Sequence, residues 1–164
     1  MGGLLLEYCA KLNDGKSRIM LQCNFLSERF TKFTAVFDTG AEQTCITART
    51  IRPEISEEKL INLGCNIKTV VGLIHNDSAC EVKYYQLKVK DFFLGNIHLT
   101  GADIWITFDD RVTDSVVGMD ILSRVPYYYS PSDEKVHFFK NEEIARQELM
   151  TNILNKVKPV NSFI

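Results

Sequence analysis

The sequence predicts an all-β body closed by a terminal helix, and three observations lead there. Short apolar segments recur through the first 140 residues, many of them alternating with polar residues and bounded by turn signals. Asn13-Asp14-Gly15 is a strong hairpin signal lying between two such segments. From Glu142 the spacing changes, with Ile144, Leu149, Ile153, Leu154 and Val157 recurring at the helical period through to Val157.

Taken in order, Leu4–Leu12 and Ile19–Phe25 flank the Asn-Asp-Gly turn and are expected to form a first hairpin. Phe33–Phe37 is a short apolar strand running into Asp38-Thr39-Gly40, and Thr44–Thr47 resumes strand character. Ser56–Gly64 predicts a short helix, with Ser56 as N-cap, Glu57 and Glu58 in its first turn and Gly64 as its stop. Thr69–Ile74 and Cys80–Val89 flank the polar run His75–Ser78 and predict a second, longer hairpin. Ile97–Leu99, Ile104–Phe108 and the very short Val116-Val117 follow as strands. Met119–Arg124 reads as a helical turn closed by Pro126, and Tyr127–Tyr129 and Val136–Phe139 flank the turn Ser130-Pro131-Ser132-Asp133.

Composition narrows the class without naming an activity. The chain has 164 residues, 45% apolar and 24% charged, which fits a globular protein and excludes collagen-like, coiled-coil and disordered classes. A chain of this size buries roughly two-thirds of its unfolded surface and needs no disulfides. With a net charge of −2 it has no basic footprint, so no nucleic-acid partner is expected. No window nears the roughly 18 apolar residues of a membrane helix, and Met1–Glu7 lacks the basic flank of a secretory signal. A cytoplasmic protein with no membrane partner is the expectation. The five cysteines (Cys9, Cys23, Cys45, Cys65, Cys80) are widely spaced with no C-x-x-C, and His75, His98 and His137 lie far apart. Buried thiols and isolated histidines are expected, with no metal and no cofactor.

Chemistry concentrates in Ala35-Val36-Phe37-Asp38-Thr39-Gly40-Ala41. A carboxylate leaving an apolar strand is costly to bury without hydrogen bonds. Thr39 offers a hydroxyl, and Gly40 lets its own N–H approach the carboxylate. Several phosphate-handling families also place an Asp after an apolar strand. Dehalogenase-type phosphatases need a second Asp where Gly40 stands, transport ATPases need a Lys in place of Thr39, and actin-like sugar kinases need about twice this length. No G-x-x-x-x-G-K-[ST] is present. An Asp that merely ends a strand is the remaining plain alternative for the tripeptide alone.

A second element, Val116-Val117-Gly118-Met119-Asp120-Ile121-Leu122, changes the reading. With a hairpin between the two motifs, the stretch from about Leu4 to Phe139 resembles the retropepsin-like aspartic proteases, single-domain relatives of pepsin. In that family an apolar strand ends in Asp-Thr-Gly-Ala, a flap hairpin follows, and two apolar residues plus Gly lead into a short helix.

The resemblance implies a closed retropepsin-like β-barrel over residues 1–140, followed by a helical extension over 141–164. It implies an aspartic endopeptidase acting on polypeptide, with the catalytic elements Asp38, Thr39 and Gly40. Because the chain has a single Asp-Thr-Gly, it further implies a homodimer in which two Asp38 carboxylates share one proton. Thr39 would bond across the two-fold axis, and Ala41 is the family's small residue. Substrate is expected to meet Ala41, Glu42, Val117, Gly118 and the flap residues Val71, Gly72 and Leu73, with Val70 and Ile74 as further pocket walls. Gly72 and Asn76-Asp77 are two possible turn centres for the flap.

This sequence departs from the retroviral pattern in two places. Met119 stands where retroviral members often carry an Arg, which removes the partner expected for Glu42. The chain also runs on from Gly118 to Ile164 and ends in a helix. Asp120 is assigned to the first turn of its own helix, and Trp105 and Tyr127–Tyr129 to core and edge-strand aromatics. A non-catalytic dimerisation or peptide-binding module on the same fold is the competing reading, and a thiol-dependent regulator is a third.

Overall fold

A computed structural model describes residues 8–11, 18–51, 55–74, 78–132 and 134–157. Among these residues ten strands and three α-helices follow in chain order: β1 (Tyr8–Lys11), β2 (Met20–Leu26), β3 (Phe30–Phe37), β4 (Cys45–Thr47), α1 (Glu57–Asn62), β5 (Ile67–Ile74), β6 (Ser78–Leu94), β7 (Ile97–Thr107), β8 (Val116–Val117), α2 (Met119–Leu122), β9 (Tyr127–Ser130), β10 (Lys135–Phe138) and α3 (Glu142–Val157). The protein is mostly sheet.

The larger sheet has the order β2-β3-β8-β4-β7-β6-β5. Because β2 also pairs with β6, the strands from β2 round to β6 return on themselves as a ring, and β5 continues outward from β6. The ring is made by the length of β6. Its early residues pair with β5, its middle with β7, and Asp91–Leu94 with both β7 and β2. Alternation along the strands fills the interior. Leu21, Phe25, Ala35, Ile46, Phe92, Ile104, Ile106 and Val117 are buried completely, and Phe33 packs against both Phe25 and Phe92 at centroid distances of 6.0 Å.

The smaller sheet corrects the first expected hairpin. β1 does not pair with β2 but runs antiparallel to β10, with Tyr8 opposite Phe138 and Lys11 opposite Lys135. Residues 12–17, including the Asn-Asp-Gly turn, lie outside the described residues, as do 1–7 and 158–164. A turn signal marks where a chain reverses but not which strand receives it. Here the pairing is decided at long range, where Tyr8 stacks on Phe138 at 5.8 Å and its hydroxyl accepts from the Gln22 N–H at 2.5 Å.

The two segments expected at Ile97–Leu99 and Ile104–Phe108 form one strand, β7. Gly101 takes a left-handed φ of +75° without shifting the register, so it marks a local distortion and not an end. Arg124 binds the carbonyls of Thr100 and Gly101 at 2.8 and 2.5 Å and supports the chain there. The short helix α1 forms as expected: Ser56 Oγ accepts from the Lys59 N–H at 3.2 Å, and Gly64 follows the helix at φ +69°. Helix α3 also has its expected bounds and begins after Asn141, whose Oδ1 accepts from the Ile144 N–H at 2.9 Å. Among the described residues, no helix is long and apolar enough to cross a membrane.

Phe92 sits where β6 passes between β7 and β2, opposite both Leu99 and Phe25. Its truncation, Phe92→Ala, leaves a cavity at the joint of the ring. The expected cost is about 3–5 kcal/mol, read as a lowered midpoint of urea unfolding. A shift of less than about 1 kcal/mol would show that the ring does not depend on this joint.

Candidate active site

Asp38 follows the last residue of β3, which the short strand β8 holds in place. Val36 lies opposite Val116 and Phe37 opposite Val117 in a parallel pair, and the Asp38 N–H donates to Val117 O at 3.2 Å. The chain then turns. Gly40 N–H donates to Asp38 Oδ1 at 2.9 Å, and Ala41 N–H donates to Asp38 O at 3.3 Å. A Cβ on Gly40 would stand only 3.3 Å from that same carboxylate oxygen, so the approach favours glycine. Asp38 is half-buried, while Thr39 and Gly40 are exposed. The carboxylate is fixed on one side and open on the other.

The loop after the turn is stitched to the segment that begins α2. Met119 N–H donates to Ala41 O at 2.8 Å and Asp120 N–H to Glu42 O at 3.1 Å. Thr44 is fully buried, and all of its polar atoms are engaged. Its N–H and hydroxyl donate to the two oxygens of the Asp120 carboxylate at 3.0 and 2.8 Å. The hydroxyl also accepts from the Gly118 N–H at 3.2 Å, and its carbonyl accepts from Trp105 N–H at 3.1 Å. Gly118 is required for this closeness: a Cβ there would fall 2.7 Å from Gln43 O and 2.8 Å from Ala41 O.

These contacts revise several expected roles. Asp120 serves the loop as much as its own helix, since its carboxylate satisfies a buried threonine from the other motif. Val117 and Gly118 are buried: Val117 O accepts from the Asp38 N–H and the Gly118 N–H donates to Thr44 Oγ1, whereas Val116, the neighbour of Val117, is partly open. Ala41 is half-buried. Glu42 is exposed, and its backbone carbonyl is the part that holds the loop. Val70 and Val71 on β5 are exposed, the latter by 67%. Gly72 lies in the ladder opposite Cys80, with Leu73 opposite Ala79 and Ile74 opposite Ser78. Gly72 therefore lies within the strand, and Asn76-Asp77, the other expected turn centre, lies outside the described residues.

A cluster that no motif or spacing marks adjoins this loop. Lys68 of β5 donates to Gln43 Oε1 and places its ammonium 4.1 Å from the centroid of the Trp105 ring. Cys45 and Tyr84 flank it. Burial pushes the Cys45 thiol up, and burial followed by the charges of Cys45 and Asp109 pushes the Tyr84 phenol up to about 12. In the connection from β7 to β8, the Arg111 side chain and N–H hold the Asp109 carboxyl down at about 2. No grouping of three or more His, Cys, Asp or Glu able to hold a metal occurs among the described residues. Cys23, Cys45, Cys65 and Cys80 are free thiols. Of the histidines, His98 stacks on Phe93 and bonds Asp91.

No family model matches this sequence, and no curated protein matches it. Among solved structures, the chain is similar to a retropepsin-like aspartic protease from Rickettsia conorii, with 15% identity and a TM-score of 0.49 over 80% of this chain and 89% of that one.

The Thr44–Asp120 contact is expected to behave as a coupled pair. Thr44→Val and Asp120→Asn should each cost about 1–3 kcal/mol by stranding a buried partner. The double variant should cost clearly less than their sum in denaturant titrations. Strict additivity would show that the two side chains act independently.

Proposed function

We propose that the protein is an aspartic endopeptidase that works as a homodimer. The observation that carries this reading is the Asp38 carboxylate, which is held by the Gly40 N–H, open on its other side and standing on a turn stitched to Gly118–Asp120. The sequence motifs Asp38-Thr39-Gly40-Ala41 and Val116-Val117-Gly118 support the same reading.

The chemistry needs two carboxylates and the chain supplies one such turn, so a second copy completes the site. In the dimer the two Asp38 groups share a proton, because like charges a few Å apart cannot both ionise. The ionised group takes a proton from a bound water, which attacks the scissile carbonyl carbon. The protonated group hydrogen-bonds the carbonyl oxygen as charge develops on it. Thr39, exposed at the turn, bonds across the axis in this reading. The substrate is an extended polypeptide covered by the β5–β6 hairpin acting as a flap, with Val71, Gly72 and Leu73 towards its tip and Ala41 and Glu42 on the floor. Residues 1–140 form the peptidase body, and 141–164 form an appendage to it.

The edge of the smaller sheet supports a second copy as partner. In the order β1-β10-β9, no second strand among the described residues pairs with β9 at Tyr127–Tyr129, and Tyr127, Tyr128 and Tyr129 are 36, 39 and 44% exposed. Tyr127 packs edge-on against Phe37 at 5.3 Å, one residue before Asp38. An antiparallel pairing of this edge with its own copy is two-fold symmetric, as the shared site requires.

Asp38→Asn is the first test. Cleavage of an unfolded protein mixture between mildly acidic and neutral pH should disappear in the variant while its unfolding midpoint stays near that of wild type. Equal cleavage by both proteins would sink the peptidase reading, and a dimer that cuts nothing would point to a peptide-binding module. Lysines on the open edge supply a second test. Tyr128→Lys with Tyr129→Lys should sediment as a monomer and lose activity together with dimerisation. An active monomer would overturn the shared site.

A further inference from the structure

The face of the sheet beside the Asp38 turn carries one row of side chains that the core does not use. Lys68 lies opposite Tyr84, Gln86 opposite Trp105, Trp105 beside Cys45, and Cys45 opposite Val116. Each of these six is half-buried. Their immediate chain neighbours Tyr85, Ile106, Ile46 and Val117 point to the other face and lie in the core. The period of two along each strand thus places Lys68, Tyr84, Gln86, Trp105, Cys45 and Val116 on one surface. That surface ends at Gln43, on the loop that follows Asp38.

Charge in this row is unbalanced. Tyr84 and Cys45 are neutral at ordinary pH, and burial pushes both further up, while Trp105, Gln86 and Val116 carry no charge. Lys68 is therefore the formal charge of the row. Its ammonium rests on the Trp105 ring and bonds a neutral amide oxygen of Gln43. Among the described residues no carboxylate stands within ion-pair distance of it. Glu42, the adjacent acid on the loop, is exposed and does not reach it. A lysine ammonium has three donors, and the amide of Gln43 takes one. An ammonium partly withdrawn from water beside an aromatic face favours an anionic acceptor for those that remain.

We infer that Lys68, held by Gln43 and Trp105, forms a subsite that selects an acidic side chain in the polypeptide bound beside Asp38. The inference rests on the peptidase reading and adds a substrate class to it. A strand laid along the site turns alternate side chains towards this row. The aromatic and apolar members accept the stem of a Glu or Asp, and the ammonium meets its carboxylate. Lys68 acts here on specificity and takes no part in the bond-breaking step.

The test uses the full chain and reads a ratio. Fragments from an unfolded protein mixture should show Glu and Asp enriched at one fixed position relative to the cut bond. Two peptides that differ only by Glu or Gln at that position then give the ratio of their kcat/KM values. A partly exposed ion pair predicts a preference of about threefold to fivefold for Glu in wild type. The ratio should fall to one in Lys68→Met, reverse towards a Lys-containing peptide in Lys68→Glu, and survive in Lys68→Arg. A purely structural role for Lys68 would lower both rates and leave the ratio alone. Cleavage dependent on Asp38, with the same ratio in wild type and Lys68→Met, overturns the subsite and leaves the peptidase reading intact. The absence of any cleavage dependent on Asp38 overturns both.

Discussion

The geometry around Asp38 depends on a single buried threonine. Thr44 sits on a loop with no regular structure before it, in a position fully closed to water, where each unpartnered polar atom would cost on the order of 1–3 kcal/mol. Every one of its polar atoms is met, and most of the partners come from the segment Gly118–Asp120, more than 70 residues away. Two stretches remote in sequence can satisfy one another in this way only if the backbones come close. That closeness demands the missing side chain of Gly118. The loop position, the absence of a Cβ and the carboxylate of Asp120 are therefore one requirement seen from three sides. The placement of Asp38 follows from it, because the same two segments continue into the parallel pair of Phe37 with Val117.

Much of the fold was legible in the sequence where the cause is local. Ser56 caps α1 because a hydroxyl before two acids satisfies the first free N–H groups, and Gly64 ends it because a left-handed residue is needed there. Val116-Val117 was readable as a strand only two residues long because an apolar pair enters a glycine. The failures share a different cause. The Asn-Asp-Gly signal points β1 to β2, whereas its partner β10 is nearly the whole chain away and is chosen by Tyr8 packing on Phe138. The sequence shows Ile97–Leu99 and Ile104–Phe108 as separate strands, since nothing local announces that Arg124 supports the distorted point at Gly101 from outside the strand.

The site divides along the same line. Asp38, Thr39 and Gly40 announce themselves because a carboxylate after an apolar strand is unusual on local grounds alone. Asp120 did not, because an acid in the first turn of a helix is ordinary and already has a sufficient local explanation. Only Thr44 shows what else it does. The resemblance assigns Val117 and Gly118 to substrate, and alternation along the two-residue strand β8 buries Val117 and leaves Val116 partly open. Lys68, Gln43 and Trp105 lie on three separate elements and carry no shared spacing. No reading of periodicity or motif could have joined them before the register of β5, β6, β7 and β4 was known.

The long strand β6 links these observations. A strand of 17 residues that stayed flat would serve one pair of neighbours and close nothing. By turning from β5 to β7 and on to β2, it closes the ring at Asp91–Leu94 while its opposite end projects with β5 as a hairpin. One end is pinned through Phe92 in the centre of the core, and the other pairs with β5 alone. Between them lies the stretch around Tyr84, where Lys68 ties β5 through Gln43 to the loop of Asp38. The projecting hairpin is thus joined to the loop by a side-chain contact at its base as well as by the ladder. A contact of that kind, made by a cation resting on an aromatic ring, can be remade around a bound side chain without disturbing the core beneath it.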